Sequence, residues 1–501
     1  MIHAQMRPGR FRPVLTMVLI TIVLVVCWLG LEVFFAVTAK PNPTVDYGKV
    51  AEDSVRAAQA DLPGEDVWPV LIETTQLFND SLVDLVDPET DIAWGKGSYS
   101  FDALYSYDEM LADLRGDEAD TSSIETEQYD ALEAHRRMSE RAIARWDELG
   151  ITRRLDEVAA SGKAVRPMSD TTQTMMIDIL LPELSTFRNM ARGLRARMSL
   201  ARDAGDWELY EKSFEHGLAI GRIGMAQTTL IDRLVGIAIR ALMFGQLRDD
   251  LVAGALPDEA CVQVLGALDR QRHTTPAAHG LDGELFMQLD AVQWTHDRRG
   301  RVILSQVQRL HYMPGSGLAI TNVASIVFPR REQTERWFRD FNEQLKEYVS
   351  RPVAERCAEA RSGQIAEPQY TSSWNTLVQD ALIPAYGSAL RADDLCEMQE
   401  LSLRVMIAIE RYRHARGELP QSLAALTPDW LPELAVDPYS IDGNLFGYRV
   451  FDEQDEDGRQ YVLYSIGFDG VDNGGVAPTE RQTDALRMGY TGTDYVLTDP
   501  N

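Results

Sequence analysis

The chain lacks the short motifs that identify the common enzyme classes. It has no G-x-S-x-G nucleophile elbow, no phosphate-binding P-loop and no dinucleotide fingerprint. Its eight histidines are scattered, and the one loose group, His273, His279 and His296, matches no zinc-binding spacing. The motifs therefore nominate no catalytic residue. One alternative stays open, a hydrolase with dispersed catalytic residues and its active site in the helical part, around His273 to His296.

Cysteine is also scarce, with four residues in a chain of 501. Cys27 falls within an apolar run, which leaves Cys261, Cys357 and Cys396 as an odd set. Such a set implies no disulfide framework, and its spacing excludes the usual cysteine-type zinc sites. It permits one disulfide, and Cys357 with Cys396 is the pairing we expect if one forms.

Positive charge is in deficit. The chain has 49 lysines and arginines against 77 aspartates and glutamates, which gives a net charge of −28 and a pI near 4.7. This balance argues against a nucleic-acid partner. It suits a soluble envelope domain or one that recruits cations. The length is enough for two or three domains.

The N-terminal part of the chain contains a long apolar run. It extends from Val14 to Val37, and Glu32 near its far end is the only charged residue within it. As a helix, its roughly 24 residues measure about 36 Å, which is enough to cross a bilayer. Three arginines precede the run, and this predicts that the N-terminus lies inside and the bulk of the chain outside.

We therefore predict a single-pass inner-membrane protein. Residues 1–12 form a cytoplasmic tail, 13–38 an uncleaved transmembrane helix, and 39–50 a linker. The alternative is a cleaved signal peptide with its cleavage site at Val37-Thr38-Ala39.

Residues 51–390 predict a mainly α-helical extracytoplasmic domain. In its clearest unit, 183–254, apolar residues recur every three or four positions on both sides of Gly205-Asp206. This pattern predicts a helical hairpin followed by a third helix, and it resembles a tetratricopeptide hairpin. Because only one such unit is visible, it indicates a helical-hairpin scaffold and no repeat array. Three glycines share roughly one face of the second helix, at Gly217, Gly221 and Gly224. We predict that this face packs closely against another helix, and the alternative is a ligand groove.

The last part of the chain, 391–501, opens with a long helix. Apolar residues fall seven positions apart on one face of it, at Met398, Val405 and Tyr412. Gly417 is suited to the position just after the helix, since glycine tolerates the left-handed conformation that ends many helices.

Strand-like segments follow this helix. The alternating sequences FGYRVF (446–451) and YVLYSIGF (461–468) predict two strands, and Tyr495 to Thr498 predicts a third. The expected fold class is mainly α with a C-terminal α+β domain. In chain order it comprises a single transmembrane helix, a helical-hairpin scaffold, then a long helix with a small antiparallel sheet.

The order of elements in 391–501 carries a family resemblance. A long helix, a Leu-Pro-x-Ser-Leu turn, a Trp-Leu-Pro segment, Asp-Pro and a hairpin ending in Leu-Tyr-Ser-x-Gly-x-Asp-Gly together resemble the soluble domain of type II secretion major pseudopilins. The prepilin signature before the apolar run is absent, so we do not expect processing or polymerisation as a pilin. The resemblance covers roughly the last hundred residues.

The resemblance implies a calcium site in the loops after the hairpin. On the matching positions it nominates Asp469, Asp472, Asn473 and Asp494, with backbone carbonyls of 465–467 in support. Calcium takes six to eight oxygen ligands on flexible loops, which suits carboxylates interleaved with glycines. The alternative is that these residues only form turns.

Taken together, these features predict a membrane-anchored envelope scaffold or interaction protein. Calcium would stabilise its C-terminal domain, and a protein partner in the envelope would link it to secretion or envelope assembly. The alternative is the extracytoplasmic hydrolase named above.

Overall fold

The computed structural model describes a mainly helical chain with a small three-stranded antiparallel sheet. The described residues are 38–90, 93–94, 101, 126–179, 181–310, 328–362, 377–382, 386–454, 459–477 and 492–498, with 20–24, 26–28, 31 and 34 near the N-terminus.

The helices are numbered here in chain order. The first group is α1 (Tyr47–Ala58), α2 (Trp68–Leu82), α3 (Thr126–Ala144), α4 (Ile151–Ala160), α5 (Glu183–Ala204), α6 (Trp207–Met225) and α7 (Leu230–Val252). The second group is α8 (Asp258–Arg270), α9 (Ala277–Thr295), α10 (Leu304–Leu310), α11 (Arg331–Val349), α12 (Val353–Arg361), α13 (Leu377–Leu382) and α14 (Tyr386–Arg416). The strands are β1 (Gly447–Val450), β2 (Tyr461–Ser465) and β3 (Tyr495–Val496).

The predicted transmembrane helix is corrected by this structure. Among the described residues, no helix is both long enough and apolar enough to cross a membrane. A span needs about 20 consecutive apolar helical residues, and no helix among the described residues supplies them. The fold class with a membrane span, and the single-pass inner-membrane location built on it, are therefore wrong. The predicted tail, 1–12, lies outside the described residues.

The segment predicted as a linker, 39–50, is tied to the helices. The side-chain Oε1 of Gln293 on α9 accepts hydrogen bonds from the backbone amides of Thr44 and Val45, at 2.9 and 3.1 Å. Asp46 then caps α1 by accepting a hydrogen bond from the amide of Lys49. The chain therefore enters the helical body before residue 47.

Helices α5, α6 and α7 form the hairpin unit. Gly205 adopts φ +69° between α5 and α6, and Asp206 caps α6 through the amide of Leu209 at 3.0 Å. The predicted close packing of the glycine face is confirmed at α6 and α7. A Cβ at Gly221 would lie 3.0 Å from the carbonyl oxygen of Gly236, and one at Gly224 would lie 3.1 Å from the Cα of Gly236.

The long helix α14 runs parallel to α7. Arg233 binds Asp393 at 2.7 Å, and Arg240 binds Glu400 at 2.5 Å. From the first ion pair to the second, the residue number increases by the same amount on both helices. The two helices therefore point in the same direction. Arg240 is almost completely buried in this contact, which makes α14 part of the helical body.

The same helix runs antiparallel to α8. Arg404 binds Asp269 at 2.6 Å, and Arg411 binds Asp258 at 3.1 Å, so the order along one helix is reversed on the other. One continuous cluster of buried apolar side chains extends from Val67 through these helices to Leu497. The domain boundary predicted between 390 and 391 lies inside α14 and remains a prediction.

The sheet has the order β1-β2-β3. Gly447 pairs with Tyr464, and Ser465 pairs with Tyr495. Glycine is required at 447 because a Cβ there would lie 2.1 Å from the Tyr464 ring. This register brings the loop after β2 beside the start of β3.

Candidate functional site

Asp494 reaches the loop after β2 although about twenty residues separate them in sequence. It lies immediately before β3 and is completely buried. Its Oδ2 accepts hydrogen bonds from the backbone amides of Asn473, at 3.1 Å, and Gly475, at 2.7 Å. Its own amide donates to the carbonyl oxygen of Val476 at 2.8 Å. The structure therefore joins the most distant of the four predicted ligands to the others.

A second buried carboxylate stands at the other side of this loop. Asp437 is 1% exposed, and its Oδ1 accepts hydrogen bonds from the Ser465 hydroxyl, at 2.9 Å, and the Tyr439 amide, at 3.0 Å. Its Oδ2 accepts from the amide of Ile466 at 2.9 Å. Sequence reasoning missed this residue, because an Asp-Pro pair is typical of a turn and does not by itself indicate a buried carboxylate.

The two buried carboxylates are held at an electrostatic cost. Burial raises the pKa of Asp494, and the charge of Asp472 raises it further. Burial likewise raises the pKa of Asp437, and the charge of Asp494 adds to that effect. Within the described part of the chain, neither Asp437 nor Asp494 forms an ion pair. A cation near them would offset both the desolvation and the mutual repulsion.

Asp469 and Asn473 organise the loop itself. Asp469 accepts hydrogen bonds from the amides of Val471 and Gly492, both at 2.9 Å. The Asn473 side chain donates to the carbonyl oxygen of Val471 at 2.9 Å. These contacts are those of turn-forming residues, and the bond to Gly492 also ties the loop to the segment that precedes β3.

Asp472 links the loop to the sheet. Its Oδ1 accepts hydrogen bonds from the hydroxyl of Tyr464, at 2.9 Å, and from the amide of Gly474, at 2.8 Å. Asp472 is exposed, so its carboxylate lies at the solvent side of the cluster.

A protein cation already contacts this loop. The Nη1 of Arg361, at the end of α12, donates to the carbonyl oxygen of Phe468 at 2.6 Å. Its guanidinium lies 2.6 to 2.8 Å from the place that a Cβ at Gly470 would take. Arg361 therefore ties the end of α12 to this loop.

The next question is whether the described residues contain a cluster of metal-ligating side chains. No group of three or more His, Cys, Asp or Glu side chains that could hold a metal is found among the described residues. Asp437, Asp472 and Asp494 use their carboxylate oxygens to accept hydrogen bonds from amides and hydroxyls of the loops and the sheet. Asp469 and Asn473 lie in the same loop. The predicted calcium site therefore remains a proposal.

The three candidate histidines of the hydrolase alternative are not brought together. His279 lies in the first turn of α9 and His296 directly follows its last residue, so about 25 Å of helix separates them. His296 is completely buried, with its Nδ1 2.8 Å from the carbonyl oxygen of Val292. Burial lowers the pKa of His296 to about 4. In the connection before α9, burial and the charge of Arg233 lower the pKa of His273 to about 2.

The cysteines are free thiols. Cys27 is exposed, and Cys261, Cys357 and Cys396 are buried. Burial raises the pKa of Cys261 to about 12 and the pKa values of Cys357 and Cys396 to about 11. The pairing of Cys357 with Cys396 that we expected is not formed.

Comparison with known proteins adds no identification. The chain matches no protein family, no curated protein and no solved structure. The resemblance of 391–501 to pseudopilins therefore stays a prediction from the sequence.

Proposed function

We propose that the chain is a protein-interaction scaffold whose C-terminal unit, 391–501, is a head domain of the pseudopilin type. The helical body supports this unit through α14, and the loops at the end of the sheet supply the contact surface for a protein partner. The role is structural, and no chemical step is assigned to it.

The observation that carries the proposal is the exposure of apolar side chains on fixed loops. Ile441, Val471 and Val476 are 55%, 54% and 53% exposed. Val471 and Val476 flank the amides that bind Asp494. Apolar side chains on loops that are already ordered favour binding, because little conformational entropy is lost when a partner docks.

We further propose that calcium stabilises these loops. The support is the pair of buried carboxylates, Asp437 and Asp494, whose pKa values burial raises. Calcium prefers carboxylate and carbonyl oxygens on flexible loops. The predicted ligands Asp469, Asp472, Asn473 and Asp494 lie in the connected loops, and Asp437 extends the set.

Site-specific photo-crosslinking tests the interaction role. A photoreactive residue would replace Val471 or Val476 in the full chain, expressed in the cells from which the sequence comes. We expect a discrete protein adduct at both positions. The matched control is Val262, which is 46% exposed and belongs to α8 rather than to a loop.

Two outcomes decide the matter. Adducts at both loop positions and none at Val262, weakened by Asp494→Asn, would support the proposal. Absence of adducts at the loop positions, or equal adducts at Val262, would contradict it.

A further inference from the structure

The segment that leads into α1 is fastened to α9 by the side chain of Gln293. Its Oε1 accepts hydrogen bonds from the amides of Thr44 and Val45, and its Nε2 donates to the carbonyl oxygen of Val45 at 2.8 Å. The same Nε2 donates to Oδ1 of Asp290, about one turn earlier on α9, at 2.9 Å. Asp290 therefore orients the side-chain amide that holds the segment.

Asp290 also holds a second part of the chain. It is completely buried, and its Oδ2 accepts a hydrogen bond from the amide of Met176 at 2.7 Å. Among the described residues, no positively charged side chain forms an ion pair with Asp290. The carboxylate is thus buried with hydrogen bonds but without an opposite charge, and burial disfavours the ionised form of such a group.

A second carboxylate lies close to Asp290. Oδ1 of Asp46 accepts hydrogen bonds from the amide of Thr171, at 3.1 Å, and from its hydroxyl, at 3.2 Å. The same hydroxyl is within hydrogen-bonding reach of Asp290, but it has one proton and can donate to only one carboxylate at a time. The four residues that connect these segments are called the entry clamp: Asp46, Thr171, Asp290 and Gln293.

The other charged groups around α9 are largely paired with one another. Asp178 binds Arg309 of α10 at 2.5 Å, and Arg331 binds Glu335 on α11 at 2.6 Å. The titratable and charged groups on the elements that pack against α9 are Tyr47, Asp178, Asp232, Arg233, Arg309, Arg331, Glu335 and Arg339, and those on α9 itself are Glu284 and His296. The charge with the largest effect on Asp290 is that of Asp46.

Asp290 ionises at mildly acidic pH. Burial raises its pKa from an ordinary value of 3.8 to about 6, and the charge of Asp46 adds to this effect. A closed clamp therefore binds a proton more readily than an open one, in which water reaches the carboxyl group. The closed form is favoured at low pH, and it loses this advantage as pH rises from about 4 to about 6.

We propose that the entry clamp is a proton switch: it holds residues 42–48 against α9 while Asp290 is protonated, and it loosens when Asp290 ionises. The proton passes between the carboxyl group and the water that enters on opening. The switch controls how firmly the segment before α1 is held to the helical body. This inference goes beyond the scaffold role and does not depend on it.

Hydrogen exchange of the full chain, followed by mass spectrometry and corrected for the intrinsic exchange rate, tests the proposal. The reporting peptides cover 42–50 and 171–178, and α8 serves as the reference. We expect protection of both peptides relative to α8 to fall by up to about 100-fold as pH rises from about 4 to about 7. Burial of neutral His296 has the opposite effect on stability, so it cannot produce this trend. Protection that does not change with pH relative to α8 would overturn the proposal.

Substitutions assign the effect to the entry clamp. Asp290→Asn keeps the shape of the protonated carboxyl group but does not titrate, and it should remove the pH dependence from both peptides. Asp46→Asn still supplies an oxygen that caps α1 but lacks the charge, so the midpoint of the pH dependence should move to lower pH. The matched control is Asp170→Asn, which changes an exposed aspartate whose carboxylate bonds to Thr172, and it should leave the midpoint unchanged.

The two clamp substitutions give independent decisions. A pH dependence that persists in Asp290→Asn would overturn the proposal. Should that variant not fold, the midpoint in Asp46→Asn decides, and a midpoint equal to that of Asp170→Asn would also overturn it.

Discussion

Replacing Gly236 with alanine tests the contact between α6 and α7. A Cβ at Gly236 would lie 2.5 Å from the carbonyl oxygen of Gly221 and 2.6 Å from the amide nitrogen of Met225, distances that real Cβ atoms essentially never show. Both neighbours are backbone atoms of α6, so a rotamer change cannot relieve the clash. The two helices must therefore move apart.

The size of the effect follows from two opposing contributions. Overpacking costs about 1–3 kcal/mol, and a clash with backbone belongs at the upper end. Removal of a glycine from a helix interior returns about 1 kcal/mol. We therefore expect Gly236→Ala to lower the free energy of unfolding of this unit by about 2 kcal/mol.

Gly245→Ala is the matched control on the same helix. Its Cβ meets no atom within 4 Å, so only the gain of about 1 kcal/mol in helix propensity applies. Hydrogen exchange of the α6 and α7 amides measures both variants locally. We expect protection to fall roughly 30-fold in Gly236→Ala and not to fall in Gly245→Ala. Equal protection in the two variants would refute the packing argument.

The structure supports further predictions on stability and reactivity. Asp232 is completely buried and binds Arg166 through two hydrogen bonds at 2.6 and 2.8 Å, so Asp232→Ala should cost about 3–5 kcal/mol in chemical denaturation. Removal of the exposed Glu157, which pairs with Arg153, should cost less than about 1 kcal/mol, and similar losses would contradict the account. Because the folded-state pKa of His296 lies below its ordinary value, the unfolded state takes up the proton first as pH falls. Stability present above pH 6.5 should therefore decrease by about 3 kcal/mol down to about pH 4, and His296→Gln should lose this part of the pH dependence measured by thermal unfolding. An unchanged pH profile would mean that His296 is not buried in its neutral form. The three buried cysteines should resist alkylation at pH 8 in the native protein and react on unfolding, which mass spectrometry of the labelled peptides checks, while rapid native labelling of all three would show that the core around them is open.

Much of the helical body could be predicted from the sequence. The steps of three and four residues around Gly205-Asp206 indicated α5 and α6, because an apolar stripe must face a core. The alternation in FGYRVF and YVLYSIGF indicated β1 and β2, since successive strand residues face opposite sides. Both patterns involve residues that are close together in the chain, so the helices and strands they form can be predicted from the sequence alone.

Features that depend on contacts between distant residues were either not predicted from the sequence or predicted wrongly. Asp437 contacts Ser465 and Ile466 across 28 and 29 residues, and nothing in its neighbourhood marks it as a buried carboxylate. His279 and His296 fall close in sequence, but the intervening helix separates them. The apolar run at 13–38 predicted a membrane span from composition alone, which the described helices do not bear out.

The most direct test of the account is thermal unfolding of the full chain in calcium and in chelator. If calcium binds the folded loops, the free energy of unfolding should rise by about 2.7 kcal/mol at a hundredfold excess over Kd. Asp494→Asn and Asp437→Asn should each abolish the difference between the two conditions, and the exposed Asp442→Asn in the same unit should retain it. A wild-type protein with the same melting temperature in millimolar calcium and in chelator, or a difference that survives both buried substitutions, would contradict the calcium-stabilised head domain.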